Sequence, residues 1–211
     1  MYKSFFKRFF DIFLSFLGIV LLSWLFIVIS LAIVIDDPGP VFFKQRRVGK
    51  GKKLFNILKF RSMKVSAPKN TPTHLLDNPD EYITRVGKFL RKTSLDELPQ
   101  MFNILIGQMS IVGPRPALWN QYDLIAERDK YGANDVRPGL TGWAQINGRD
   151  KLEIPIKAEL DGYYVANMGF AMDFKCFWRT VIKVITHDGV VEGGTGMISK
   201  VEANEKEVVE K

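Results

Sequence analysis

The sequence predicts an α+β fold: an apolar N-terminal helix, a short β-hairpin and a mainly helical remainder. Three observations carry this expectation. Ile12 to Val34 contains no charged residue, and Ile35 extends the run. Val41 to Gln45 and Lys53 to Phe60 are strand-like runs on either side of a Gly49-Lys50-Gly51 turn. Leu95, Leu98, Phe102, Leu105 and Ile106, and later Phe174, Phe177, Trp178, Val181, Ile182 and Ile185, recur at helical spacing.

A helix rises about 1.5 Å per residue, so the apolar run has the reach of a bilayer's hydrocarbon layer. Lys3, Lys7 and Arg8 precede it, and Lys44, Arg46, Arg47, Lys50, Lys52 and Lys53 follow it. Basic residues are retained on the cytoplasmic side, so the two flanks of a simple span compete. Two arrangements answer this: a segment that lies in or re-enters one membrane face, or a span with only the short N-terminus outside. Both leave the C-terminal part cytoplasmic. The run is long for a secretory signal, and Asp36-Asp37-Pro38-Gly39-Pro40 follows it in place of a small-residue cleavage site, so it is expected to be retained. The organisation expected is an anchor over 1–38, a main domain over 39–189 and a polar tail over 190–211.

The 211 residues suffice for one core-forming domain with attachments. The formal charge of +7 suits nucleic acid, anionic lipid or phosphate-bearing small molecules. An apolar run beside a basic cluster favours lipid headgroups. Nucleic acid is disfavoured, because many aromatics lie in the apolar run and no zinc-finger or helix-turn-helix spacing occurs. Cys176 is the one cysteine, which excludes an intrachain disulfide, fits a reducing compartment and reads as packing. With it, His74 and His187 are too few and too scattered for a zinc site.

Along the chain, Lys59 and Arg61 share a strand face if the second strand reaches Arg61. Pro68 to Asp80 reads as a loop. Thr84 suits the cap of a helix over Arg85 to Lys92, with Arg85, Lys88 and Arg91 on one side and Val86, Phe89 and Leu90 on much of the other. Ser94-Leu95-Asp96-Glu97 has capping-box spacing, but Pro99 lacks a backbone donor, so the helix either kinks there or begins near it. In both registers Asp96 and Glu97 lie at a helix start, where negative charge is favoured. Three rigid basic turns follow: Gly113-Pro114-Arg115-Pro116, Arg137-Pro138-Gly139 and Asn147-Gly148-Arg149. Proline around an arginine positions a guanidinium, which can fork onto phosphate. One such turn alone is a rigid surface loop; three beyond an acidic pair point to phosphate chemistry. The stripe from Phe174 to Ile185, flanked by Lys175, Arg179 and Lys183, suits either a core helix or one docked in a membrane interface. Gly189 to Gly196 is glycine-rich but lacks the Lys-Ser/Thr ending of a phosphate-binding loop.

Taken together, KRFFDI, DDPGPVFFKQRRVGK, FNILKFRSM, TSLDELPQMFNILIGQMSIVGPRPAL and RPGLTGWAQINGR closely resemble the small monotopic phosphoglycosyl transferases, the bacterial sugar transferase family, from about Lys7 to about Gly189. The resemblance implies a re-entrant N-terminal helix, a catalytic domain with interfacial amphipathic helices, and residence on the cytoplasmic face of a bacterial inner membrane. It implies transfer of a sugar phosphate from a UDP-sugar to a polyprenol phosphate such as undecaprenyl phosphate. UMP is released and glycan assembly begins, as in exopolysaccharide or lipopolysaccharide biosynthesis. It further implies an Asp96-Glu97 dyad, with Asp96 as the nucleophile of a covalent sugar-phosphate intermediate, Glu97 supporting the second half-reaction, and Mg2+ beside Asp96. The family carries Ser-Pro in the membrane helix where this chain has Ser23-Trp24. Ser23 is thus the turn candidate without a proline kink, and a straight span stays open. A homo-oligomer and downstream glycosyltransferases are further partners the resemblance leaves open. N-acetylhexosamine, galactose and glucose all fit as the sugar.

A carboxylate can attack phosphorus only where the diphosphate charge is neutralised. A hard divalent cation takes oxygen ligands, which Asp96 and the diphosphate supply. Lys59, Arg91 and Arg115 are the candidate phosphate clamps, with Arg137 and Arg149 behind them and Arg61, Arg85 and Lys88 as secondary candidates. The same groups would suit a membrane-associated phosphohydrolase with water as acceptor. Carboxylates that merely cap a helix would suit a non-catalytic membrane-anchored scaffold. The transferase reading requires Asp96, Lys59, Arg91 and Arg115 to face one cleft.

Overall fold

The computed structural model describes residues 2–67, 79–148 and 152–186. His74, Arg149, His187, the 189–196 region and the tail lie outside the described residues.

The apolar run folds as two helices. A π-helical turn over Tyr2–Phe6 leads into α1 (Lys7–Leu21) and α2 (Ser23–Asp36), which meet at an angle of 62°. No single helix is long and apolar enough to cross a membrane, whereas the bent pair together has the length and composition. The straight helix that Ser23-Trp24 left open is therefore not formed. No proline makes this bend. Leu22 leaves helical geometry at φ −97° and ψ 8°, while its N–H still donates to the Gly18 carbonyl at 3.0 Å. Ser23 is exposed; the hydroxyls that bond back to their own helix are those of Ser15, to Ile12, and Ser30, to Phe26. Packing holds the two arms apart. A Cβ on Gly18 would lie 3.0 Å from the Met101 sulfur, and Ile29 and Ile33 pack with Phe60 and Leu90.

The first arm is also fastened by polar contacts. Buried Asp11 accepts from the Ile111 N–H at 2.9 Å and the Ser110 hydroxyl at 3.0 Å. Lys7, read from the sequence as a basic membrane flank, pairs instead with Asp173 at 2.7 Å and donates to the Val112 carbonyl at 2.8 Å. The second arm is fastened at its exit, where Asp36 accepts from the Val86 N–H at 2.9 Å.

β1 (Phe42–Val48) and β2 (Leu54–Phe60) pair antiparallel across a 3₁₀ turn at Lys50–Lys52, so β1 runs beyond the expected Gln45. After α3 (Pro79–Tyr82), α4 (Arg85–Lys92) begins where expected, and the Thr84 hydroxyl accepts from the Gly87 N–H at 2.9 Å. Phe89 does not pack: it is 59% exposed, and Leu90 carries the buried side. The capping box does not form either. An N-cap needs extended backbone, but Ser94 is left-handed at φ +57° and its side chain caps nothing. A 3₁₀ turn over Leu95–Glu97 follows, and α5 (Gln100–Leu105) starts after Pro99.

β3 (Ser110–Val112) and β4 (Gly139–Thr141) form a parallel pair that the sequence did not foresee, because runs this short show no alternation. α6 (Tyr122–Asp129) lies between them in the chain, and α7 (Trp143–Ile146), α8 (Ile154–Ala166) and α9 (Phe170–Thr186) follow. The α9 stripe is not core: Phe174, Phe177, Trp178 and Ile182 are exposed, and Asp173 and Cys176 are buried in their place. Phe10 contacts Phe170, which stacks on Phe174 and through it on Trp178. The exposed aromatics of α1 and α9 are therefore continuous, an apolar surface of the kind that marks an interaction site.

Candidate active site

Three pieces of the fold meet at the carboxylate pair: the end of β2, the turn between α4 and α5, and the loop after β3. Lys59, on β2, places its Nζ 2.8 Å from Glu97 Oε1 and 3.8 Å from Asp96 Oδ2. Asn103 of α5 fixes this relation. Its side chain accepts from the Leu58 N–H and donates to the Asn56 carbonyl, which closes the free edge of β2 beside Lys59. Arg91, at the end of α4, donates from Nε to the Ser62 hydroxyl at 2.9 Å, and its charge acts on Asp96. Gly87 permits this seating, since a Cβ there would stand 2.0 Å from the Ser62 carbonyl oxygen.

Arg115 forks onto Glu97, with Nη2 at 2.6 Å from Oε1 and Nη1 at 3.4 Å from Oε2. The backbone beneath it is held at every residue. The carbonyls of Pro114, Arg115 and Pro116 accept from the Gly139 N–H, Arg128 and Arg47, each at 2.9 Å. Arg128 is itself locked to Asp161 in the interior at 2.5 and 2.9 Å. The loops of Arg115 and Gly139 touch backbone to backbone: a Cβ on Gly139 would lie 2.1 Å from the Gly113 nitrogen. The Pro-Arg-Pro rigidity read from the sequence is thus real, but distant donors supply it as much as the prolines do.

Asp96 and Glu97 are both 9% exposed, yet they differ. Burial pushes the Asp96 carboxyl above its usual range; Lys59 opposes this, and the neighbouring Glu97 charge adds to it. Burial acts the same way on Glu97, but Arg115 and Lys59 outweigh it by charge and hydrogen bonds and hold that carboxyl well below its usual range. Among the described residues no donor hydrogen-bonds the Asp96 carboxylate, and its closest cation is the Lys59 ammonium at 3.8 Å. Glu97 is committed to its cations; Asp96 is open.

Among the described residues no three His, Cys, Asp or Glu side chains stand together as a metal cage. Magnesium is usually held by one or two carboxylates, with phosphate oxygens and water completing the set. The open oxygens of Asp96 fit that mode, and the occupied ones of Glu97 do not.

Lys59, Arg91 and Arg115 therefore gather at the pair as expected. Of the other candidates, Arg149 lies outside the described residues, and Arg61, Arg85, Lys88 and Arg137 do not join them. β2 ends at Phe60, the strand alternation stops, and buried Arg61 turns to the Asp37 carboxylate at 3.1 Å and the Asp37 carbonyl. Arg85 and Lys88 are exposed on α4. Arg137 lies at the opposite end of α5, donating to the Gly107 carbonyl at 2.9 Å. The bracing roles of Arg47, Ser62, Asn103, Arg128 and Asp161 carried no sequence signal, since the groups they hold at the site come from other segments of the chain.

A buried, uncommitted carboxylate beside a cation-clamped one, on a body that also carries a bent apolar helix pair, is an arrangement suited to chemistry on phosphate-bearing groups. The sequence profile described as bacterial sugar transferase matches residues 2–187, and the chain belongs to that family. It is 42% identical over 186 residues to an uncharacterized sugar transferase, EpsL, of Bacillus subtilis, covering 87% of this chain and 89% of that one. It is 44% identical over 185 residues to the UDP-glucose:undecaprenyl-phosphate glucose-1-phosphate transferase of Escherichia coli, covering 84% of this chain and 39% of that one. It is 39% identical over 192 residues to the UDP-N-acetylgalactosamine-undecaprenyl-phosphate N-acetylgalactosaminephosphotransferase of Aeromonas hydrophila, covering 88% and 45%. The chain thus spans less than half of the latter two proteins and most of the first.

Proposed function

We propose that this chain is a phosphoglycosyl transferase that moves a sugar phosphate from a UDP-sugar to a polyprenol phosphate, undecaprenyl phosphate being the acceptor in its relatives' names. The contrast between the two adjacent carboxylates carries this reading. Asp96 is the group free to react. Its oxygen bonds to the sugar-bearing phosphorus, the bond from that phosphorus to the bridging oxygen breaks, and UMP leaves with the electron pair. A phosphate oxygen of the polyprenol phosphate then bonds to the same phosphorus and returns Asp96 as a carboxylate. Two steps let the soluble product depart before the membrane-held acceptor arrives.

Lys59, Arg91 and Arg115 stabilise charge on the transferring phosphoryl group. Glu97 is too weak a base to take a proton readily at neutral pH; its part is to hold Lys59 and Arg115 in place. Mg2+, when bound, supplies neutralisation of the diphosphate, and Asp96 is the residue that would hold it. The bent pair α1–α2 entering and leaving one membrane face, with the aromatics of α9 beside it, keeps the site at the headgroups on the cytoplasmic side of the cell membrane.

The test is a panel of radiolabelled UDP-sugars incubated with the purified full chain in detergent, without acceptor. Wild type is expected to become labelled and release UMP with one of them, and Asp96→Asn to do neither, a loss of about 10³-fold or more. Equal labelling of Asp96→Asn would refute the nucleophile. Steady release of free sugar phosphate without acceptor would instead favour the phosphohydrolase.

A further inference from the structure

The carbonyl end of α5 is occupied by two guanidiniums. Arg8 donates to the Ile104 and Leu105 carbonyls at 2.7 and 3.0 Å, and Arg137 donates through Nε to the Gly107 carbonyl at 2.9 Å. Gly107 turns the chain at φ +93°, and a Cβ there would lie 3.2 Å from Arg8 Nη2, so both cations converge on one turn. A single cation answers the unpaired carbonyls of so short a helix. The second adds repulsion, since the two charges act on each other. The acid whose charge reaches Arg8, Asp11, is turned to the Ser110 hydroxyl and the Ile111 N–H. Among the described residues the two terminal nitrogens of Arg137 make no hydrogen bond. The pair therefore presents positive charge and free forked donors beyond what the helix end requires.

The surroundings are apolar and open. Ile106, next in the chain to Gly107, is 68% exposed. On α1 and the turn before it, Phe5 and Ile12, three residues before and four after Arg8, are both exposed. Forked cations rising from an apolar surface match an anionic phosphate seated above acyl chains.

We propose that Arg8 and Arg137 form a headgroup site for an anionic phospholipid, at the end of α5 away from Asp96. The site orients α1 against the bilayer surface. Its test reads lipid binding alone, so it stands or falls apart from the transfer reaction.

The full chain in a neutral detergent is titrated calorimetrically with dihexanoyl phosphatidylglycerol, dihexanoyl phosphatidylcholine and inorganic phosphate in turn. Wild type is expected to bind phosphatidylglycerol saturably and at least about tenfold more tightly than the other two, the size of one charge-assisted contact. Arg137→Gln is expected to weaken phosphatidylglycerol by about tenfold or more, and Arg137→Lys by less, because an ammonium keeps the charge and loses the fork. Unchanged binding by a folded Arg137→Gln would overturn the proposal. So would equal binding of phosphatidylcholine, and so would equal binding of inorganic phosphate, which would mark a free-anion site. If Arg137→Gln does not fold, the three wild-type titrations and Arg137→Lys still decide.

Discussion

Asp96 and Glu97 are adjacent in the chain and opposite in electrostatic fate: Glu97 holds Lys59 at 2.8 Å and Arg115 at 2.6 Å, while Asp96 stands 3.8 Å from Lys59. One carboxylate anchors the cations, and the other is left available beside them. The chemistry proposed here depends on that division.

Opposite pH responses follow. The Glu97 carboxyl lies well below 4.5 in the folded chain, so its stabilisation is fully present above that value and is lost only as pH falls through the folded value. The Asp96 carboxyl lies above 3.8, so the folded state binds the extra proton and stability falls as pH rises from 3.8 through the folded value. Unfolding in chelator-containing detergent is expected to show Glu97→Gln about 3–5 kcal/mol less stable than wild type at neutral pH, a gap that narrows in acid. Asp96→Asn is expected to gain on wild type as pH rises. Variants that shift in the same direction would contradict the assignment.

Excess chelator is expected to bring transfer to near background, and added Mg2+ to restore it. Turnover at the full rate in chelator, with no metal retained by elemental analysis, would remove the ion from the reaction.

Arg128→Ala takes from buried Asp161 the guanidinium that makes both of its hydrogen bonds and frees the Arg115 carbonyl. Its expected cost is about 3–5 kcal/mol in chemical denaturation. Because both partners belong to one buried pair, the double variant with Asp161→Ala should cost clearly less than the sum of the single variants. Additive losses would mean that the pair does not act as a unit.

Cys176 is 0% exposed, and burial pushes its thiol up to about 12. The native chain is expected to resist iodoacetamide at pH 8 and to react fully once unfolded. Mass spectrometry reads both, and rapid native alkylation would show that the seam between α9 and β3 opens freely.

Local pattern made much of this protein legible. The apolar run, the hairpin and the Thr84 cap rest on residues whose type and close spacing carry the signal, while the dyad of Asp96 and Glu97, beside which Lys59, Arg91 and Arg115 gather, was implied by the family resemblance. Pattern failed where two local rules competed or where a partner came from afar. Ser94-x-x-Glu97 has capping spacing, yet the left-handed turn out of α4 displaced it. Lys59 and Arg61 were to share a face if the strand reached Arg61, yet the strand ended between them. Lys7 looked like a membrane flank, yet Asp173, at the other end of the chain, drew it inside.

The sequence by itself determined which chemical groups exist, which short segments are helix or strand, and that a long apolar surface must find lipid or protein. Only the tertiary structure decided the bend at Leu22, the separate destinations of Arg61, Arg115 and Arg137, and which carboxylate of an adjacent pair is held and which is free. Composition and spacing act over a few residues, whereas burial and distance arise when segments a hundred residues apart are packed together, and it is these that set a side chain's partners and charge.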